Sequence, residues 1–136
     1  MILPARSGNE SFARASVAAF CAEASPTIEE INDIKTAVSE AVTNVIVHAY
    51  PYHKGEICID VTLYDDKLVE ISVTDEGKGI DNYEEARKPF FTTRSQEEHS
   101  GMGFTIMEAF MDEMEVITAT GRGTTVKMRK KLAKNA

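Results

Sequence analysis

The chain has 136 residues, 43% of them hydrophobic, and its 22 acidic and 15 basic side chains leave a formal net charge of -7. That size and apolar content suit a single domain, 1–136, that buries its core without help from metal or disulfide. The acidic balance argues against nucleic acid, which is bound by clustered Lys and Arg, and favours a basic protein partner.

Helical spacing predicts a first helix, capped by Ser7 or Asn9 and running to about residue 24, with Phe12, Ser16, Ala19 and Phe20 as its apolar stripe. A second helix follows at once. Ser25-Pro26 offers one start and the capping box Thr27-Ile28-Glu29-Glu30 another. Its buried stripe is expected at Ile31, Ile34, Val38, Ala41 or Val42, Val45 and Ala49, and Pro51 ends it. Residues 56–64 alternate as a strand with Ile57, Ile59, Val61 and Leu63 on one face, and Asp65-Asp66-Lys67 turns into a second strand over 68–74. Residues 81–100 lose periodicity and read as a lid, commonly functional at that length in a small domain. After Gly101 comes a third helix with Phe104, Met107 and Met111 inward, then strands over 115–120 and 124–129 joined by Gly121-Arg122-Gly123. The basic run Arg129-Lys130-Lys131, with Lys134 after it, reads as a solvated tail. The fold class is α+β, a two-layer sandwich of helices on a mixed, mostly antiparallel sheet.

Cys21 and Cys58 are the only cysteines, with no CxxC pair, so neither a zinc site nor a disulfide framework is indicated. No segment approaches the ~20 apolar residues of a membrane span, and Met1-Ile2-Leu3-Pro4 lacks the regions of a signal peptide. A soluble cytoplasmic protein is expected.

Four motifs carry chemistry. Asp75, by period-two counting, shares the inward face of Val69, Ile71 and Val73, where an acid is costly unless donors meet it. A bound adenine amino group is one such donor, and Gly77 and Gly79 free the backbone to lie against a flat ring. Glu40, Asn44 and His48 recur every fourth residue on the second helix, drifting ~40° per step. Such a row is also the ordinary polar face of an amphipathic helix. An amide between two ionisable groups, however, suits an oxygen ligand for Mg²⁺ beside phosphates, and Glu40 suits a base for an attacking hydroxyl. Ser100-Gly101-Met102-Gly103 opens the third helix, where free N–H groups favour phosphate. Arg94 and His99, in the preceding loop, are further phosphate candidates, and Thr124 puts a hydroxyl near the first pocket. Each motif also has a plain turn or surface reading. Together, in this order, they describe an ATP site.

That order, Glu40-x-x-x-Asn44, Asp75-x-Gly77-x-Gly79, Gly101-x-Gly103 and Gly123-Thr124-Thr125, resembles the four boxes of the gyrase, Hsp90, histidine-kinase and MutL ATPase superfamily. Within it the strings Ser39-Glu40-Ala41-Val42-Thr43-Asn44, Phe91-Thr92-Thr93 and Ser100-Gly101-Met102-Gly103-Phe104 are similar to the anti-sigma F family of serine kinases from spore-forming bacteria. The resemblance implies a Bergerat-type ATP-binding fold, a homodimer, ATP or ADP with Mg²⁺, and two protein partners. One partner is a sporulation sigma factor, held and inhibited; the other is an anti-anti-sigma protein, phosphorylated on serine. It further implies Glu40 as base, Asn44 as metal ligand, Asp75 as adenine acceptor, Gly101 and Gly103 at the phosphates, and Thr124 behind the adenine. Glu10 and Arg14 on the first helix would meet the partners. His99 stands where the family carries arginine, and only residues 1–4 remain to supply an edge strand. A non-catalytic, nucleotide-dependent sigma-binding module is the alternative.

Overall fold

The computed structural model describes residues 1–50, 54–77, 79, 103–119 and 121–133. Among these, five strands form one sheet in the order β1-β2-β3-β5-β4: β1 (Ile2–Pro4), β2 (Glu56–Leu63), β3 (Leu68–Asp75), β4 (Glu113–Thr118) and β5 (Thr124–Lys131). Every pair is antiparallel, so the mixed element expected of the sheet is not found among the described residues. The helices α1 (Gly8–Cys21), α2 (Ile28–Asn44) and α3 (Gly103–Phe110) cover one face. Residues 2–4 do make an edge strand, with Leu3 opposite Ile57.

The sheet's inner face follows from strict alternation. Ile57 and Ile59 of β2, Val69, Ile71 and Val73 of β3, and Val126 and Met128 of β5 are all buried. Against them α2 lays Ile34, Ala37, Val38, Ala41 and Val42, as its spacing predicts apart from the addition of Ala37. The helix begins at the second of its two expected starts. Thr27 accepts from the Glu30 N–H at 3.1 Å and donates its own N–H to Glu30 Oε1 at 2.8 Å, a complete capping box, while Ser25 takes a left-handed φ of 52°. The second oxygen of Glu30 accepts from the Ala133 N–H at 2.7 Å, tying the chain's end to the start of α2.

Four expectations need correction. In α1 the buried stripe is Ala13, Val17 and Cys21, whereas Phe12 and Phe20 are 54% and 50% exposed. Small side chains at four-residue spacing let α1 lie close against α2; a phenylalanine stripe would hold it off. Neither expected cap works at its start, since Ser7 makes no capping bond and the Asn9 amide donates instead to the Pro4 carbonyl at 2.7 Å. The strand expected over 115–120 lies two residues earlier, because Glu113 sits opposite Arg129 and the turn begins at Ala119, whose carbonyl accepts from the Arg122 N–H at 2.9 Å.

Nor is the basic run a tail. Arg129 bonds Glu70 at 2.7 Å and Glu113 at 3.3 Å, its neighbours on either side in the sheet. Lys130 points the other way, to Asp33 at 3.4 Å and to the Phe110 carbonyl at the C-terminal end of α3 at 2.9 Å. Lys131 pairs with Asp66 at 3.1 Å, and Leu132 is buried. A run of like charges becomes a strand here because its members alternate faces and meet acids from distant segments.

Ile34→Ala should cost about 2–5 kcal/mol of stability, the usual range for emptying a buried aliphatic site, and Phe12→Ala no more than about 0.5 kcal/mol. Urea unfolding midpoints compare the two. Similar losses at both positions would return Phe12 to the core.

Candidate functional site

Strand β3 delivers Asp75 to the buried face at its last residue, 7% exposed, with Ile57 across one edge and Thr124 across the other. The Gly77 N–H donates to Asp75 Oδ1 at 2.8 Å, and the Thr124 backbone N–H also favours the ionised carboxyl. The protein therefore meets part of the donor requirement of the buried acid by itself. A carboxylate offers about four lone-pair positions, so acceptor capacity is left for a further N–H donor. Burial pushes the carboxyl above its usual range, with the two backbone donors acting in the opposite direction.

Two close approaches assemble the surroundings. A Cβ on Gly77 would stand 2.2 Å from the Ala49 carbonyl oxygen, so only glycine lets the end of the second helical segment reach this turn. A Cβ on Gly123, whose φ is 82°, would stand 2.1 Å from the Asp75 carbonyl oxygen. Gly79 has φ 76°. The Thr124 hydroxyl is engaged with that of Thr118 at 2.8 Å, and Thr118 also donates to the Gly123 carbonyl at 3.2 Å, which locks the β4 and β5 ends beside Asp75.

Asn44 closes α2, and beyond it Val45–Ala49 winds as a π-helix. Glu40 and Asn44 keep their one-turn spacing within α2. His48 lies in the π-helical segment that follows. A Cβ on Gly103, the first residue of α3, would lie 2.9 Å from both polar atoms of the Asn44 amide. The fold thus sets the Asn44 amide against the N-terminal end of α3, where backbone N–H groups are free of helical partners.

The described residues contain no cluster of three or more His, Cys, Asp or Glu side chains able to hold a metal. The neutral amide oxygen of Asn44 fits a different arrangement, in which Mg²⁺ takes most of its ligands from phosphates and water. On α1, Arg14 bonds Glu10 at 3.0 Å, Ser11 at 3.4 Å and, across to α2, Ser39 at 3.4 Å. Ser39 precedes Glu40, so this polar corner adjoins the expected base. Arg94, His99, Ser100, Gly101 and the lid of 81–100 lie outside the described residues. Sequence reasoning missed Ala49, Tyr50 and Thr118, none of which belongs to a motif; only their packing on the turn after Asp75 reveals them.

The fold and the site define a histidine kinase-like ATPase domain, and the model of that family matches residues 3–130. The architecture is also that of solved structures. The RsbU and RsbW domains of Rv1364c from Mycobacterium tuberculosis superpose with a TM-score of 0.70 at 25% identity, over all of this chain and 34% of that one. The histidine kinase domain of the Erythrobacter litoralis blue-light activated kinase gives 0.60 at 22% identity, over 76% of this chain and 45% of that one. Nearer relatives are named anti-sigma F factor. That of Caldanaerobacter subterraneus is 58% identical over 130 residues, 96% of this chain and 90% of its own. That of Geobacillus thermodenitrificans is 53% identical over 131 residues, with the same two shares. The chain belongs to the anti-sigma F factor family within the histidine kinase-like ATPases.

Because the native state keeps the Asp75 proton to a higher pH than the unfolded chain does, this group's contribution favours folding most below its ordinary value of 3.8. It is lost as pH rises through the raised native value. Asn at this position does not titrate, so the stability of the wild type relative to Asp75→Asn should fall with increasing pH across that window. Urea unfolding of both proteins over a pH series measures it, and a pH-independent difference would contradict the shift.

Proposed function

We propose that this chain is an ATP-dependent serine protein kinase that also holds a sporulation sigma factor. The observation that carries the reading is the pairing of two sites by one helix. The end of its π-turn touches the turn after Asp75, while Asn44 lies against the start of α3, so a purine acceptor and a phosphate-facing helix end share one pocket wall.

In this reading Asp75 accepts the adenine amino group, Thr124 and Gly77 back the base, and Gly79 gives the backbone its left-handed turn. The N–H groups at the start of α3, with Gly101 and Gly103, meet the phosphates; Ser100, Arg94 and His99 add contacts there. Asn44 is the side chain that would hold Mg²⁺, and that ion supplies charge neutralisation along the triphosphate when bound. Glu40, one turn before Asn44, orients the acceptor serine hydroxyl and takes its proton. Phosphoryl transfer of this kind depends mostly on alignment and on neutralised charge, which suits so spare a set of side chains.

The names of its relatives support a sigma factor as one partner. An anti-anti-sigma protein is the phosphate acceptor in this proposal, and Glu10 and Arg14 on α1 form the contact surface for both. A net charge of -7 suits basic regions on such partners. The protein acts as a homodimer in the cytoplasm, and no helix among the described residues is long and apolar enough to cross a membrane.

Incubation with labelled ATP and the anti-anti-sigma protein should yield acid-stable, base-labile phosphate on serine. Label with the reverse stability would redirect the reading to a histidine kinase. Glu40→Ala should slow transfer by roughly 100-fold or more, the scale of a lost general base, while still binding ATP; wild-type transfer would remove Glu40 from its role. Asp75→Asn should weaken ATP binding by about tenfold or more, as the loss of a charged acceptor predicts, and unchanged affinity in a calorimetric titration would defeat the adenine contact. A sigma factor retained without any transfer by the wild type would leave the binding module alone standing.

A further inference from the structure

The turn that presents Asp75 is held from outside by a residue to which the nucleotide reading gives no part. Tyr50 directly follows the π-turn, and its hydroxyl donates to the backbone carbonyl of Glu56, the first residue of β2, at 2.8 Å. The same oxygen accepts from the backbone N–H of Glu76 at 2.8 Å. Room for the ring comes from Gly55, where a Cβ would stand 2.2 Å from ring carbons. One residue earlier, the Ala49 carbonyl fills the space above Gly77. Ala49 and Tyr50 thus grip both sides of Glu76.

The consequence for Asp75 follows from backbone geometry. The Glu76 N–H belongs to the peptide plane immediately after Asp75, so fixing its direction fixes ψ of Asp75. The Gly77 N–H separately fixes the carboxylate on its own side chain. Two clasps therefore set both the backbone and the side-chain direction of the acid. The outer clasp leads to β2, whose Ile57 already pairs with Asp75 across the sheet, so the turn is tethered to the adjoining strand. Burial, together with the Asp75 and Glu76 carboxylates, raises the phenol above its ordinary value and keeps it protonated, able to donate and accept at once.

We propose that Tyr50 is a positioning residue for purine recognition: its hydroxyl pins the peptide between Asp75 and Glu76 to the start of β2 and so aims the Asp75 carboxylate at the base. This rests on the reading of Asp75 as purine acceptor. Both Tyr50 bonds are solvent-accessible. In Tyr50→Phe water can therefore satisfy the Glu76 N–H and the Glu56 carbonyl, while the ring keeps its place over Gly55. The fold is then little disturbed, and the loss falls on ligand affinity.

The test is a double-mutant cycle in the full chain with Tyr50→Phe, Asp75→Asn and the pair together, titrated with ATP and ADP by calorimetry. Tyr50→Phe should weaken both nucleotides about three- to tenfold, the worth of one ordering hydrogen bond. The unfolding midpoint of the nucleotide-free protein should barely move, and in transfer assays the KM for ATP should change more than kcat. On the Asp75→Asn background the second substitution should add nothing. Gly55→Ala, which displaces the ring, should reproduce the Tyr50→Phe loss. Undiminished affinity in Tyr50→Phe, or a loss that adds in full to that of Asp75→Asn, overturns the proposal. Full ATP affinity in Asp75→Asn alone overturns instead the purine-acceptor reading beneath it.

Discussion

A carboxylate buried at the end of a strand, answered by backbone N–H groups from the turn that follows it and from the next strand, organises this protein. Asp75 sits where alternation demands an inward side chain, and an ionised group there needs donors that cannot be supplied by water. Gly77 provides one, and the Thr124 backbone N–H acts in the same direction. To do so, the hairpin between β4 and β5 must press against the Asp75 backbone, which only Gly123 permits, and the helix layer must press against Gly77. The raised pKa records that the donors offset the loss of hydration only in part. Strain of this electrostatic kind, kept at one point in an otherwise apolar layer, is a common mark of a site that meets a ligand.

The second helical segment carries that constraint to the rest of the site. Along its first four turns it is an ordinary amphipathic helix, anchored on the sheet by Ile34, Val38 and Ala41 and capped at its start by Thr27 and Glu30. After Asn44 the winding loosens, and the π-turn brings Ala49 and Tyr50 onto the loop behind Asp75. Asn44 meanwhile faces the first residue of α3. A single element thereby links the turn after Asp75 to the start of α3. The capping Glu30 is itself bonded to Ala133, so the C-terminal strand steadies the far end of the same helix.

Charge on the outer side of the sheet serves a different purpose. Arg129 lies between Glu70 and Glu113, and Lys131 meets Asp66, so these two cations of the last strand are matched within the fold. Exposed pairs of this sort add little stability one by one. Their effect is to discourage register slips in β5, since a shift of one residue would carry Arg129 and Lys131 to the apolar side.

Much of this was legible locally. Period-two alternation placed β2, β3 and the inward parity of Asp75; spacing placed the core face of α2 and of α3; the capping box marked the start of α2; and the motif order announced a nucleotide site before any contact was known. Alternation and helical spacing are properties of consecutive residues, so they survive in one dimension. The face of α1 that is buried was not legible, because Phe12 and Val17 offer rival stripes and the close approach of α2 selects the small one. Neither was the end of the last strand, whose run of cations looks like a tail until Glu70, Glu113, Asp33 and Asp66 arrive from elsewhere in the chain. The reason for Gly77 was likewise hidden, since what crowds it is the Ala49 carbonyl, 28 positions away in sequence. Tyr50 belongs to no pattern at all. Sequence alone determined where the main helices and strands lie and which residues are candidates for the chemistry; the tertiary structure decided which surfaces meet, because that choice depends on the volumes and charges of segments that become neighbours only when the chain folds.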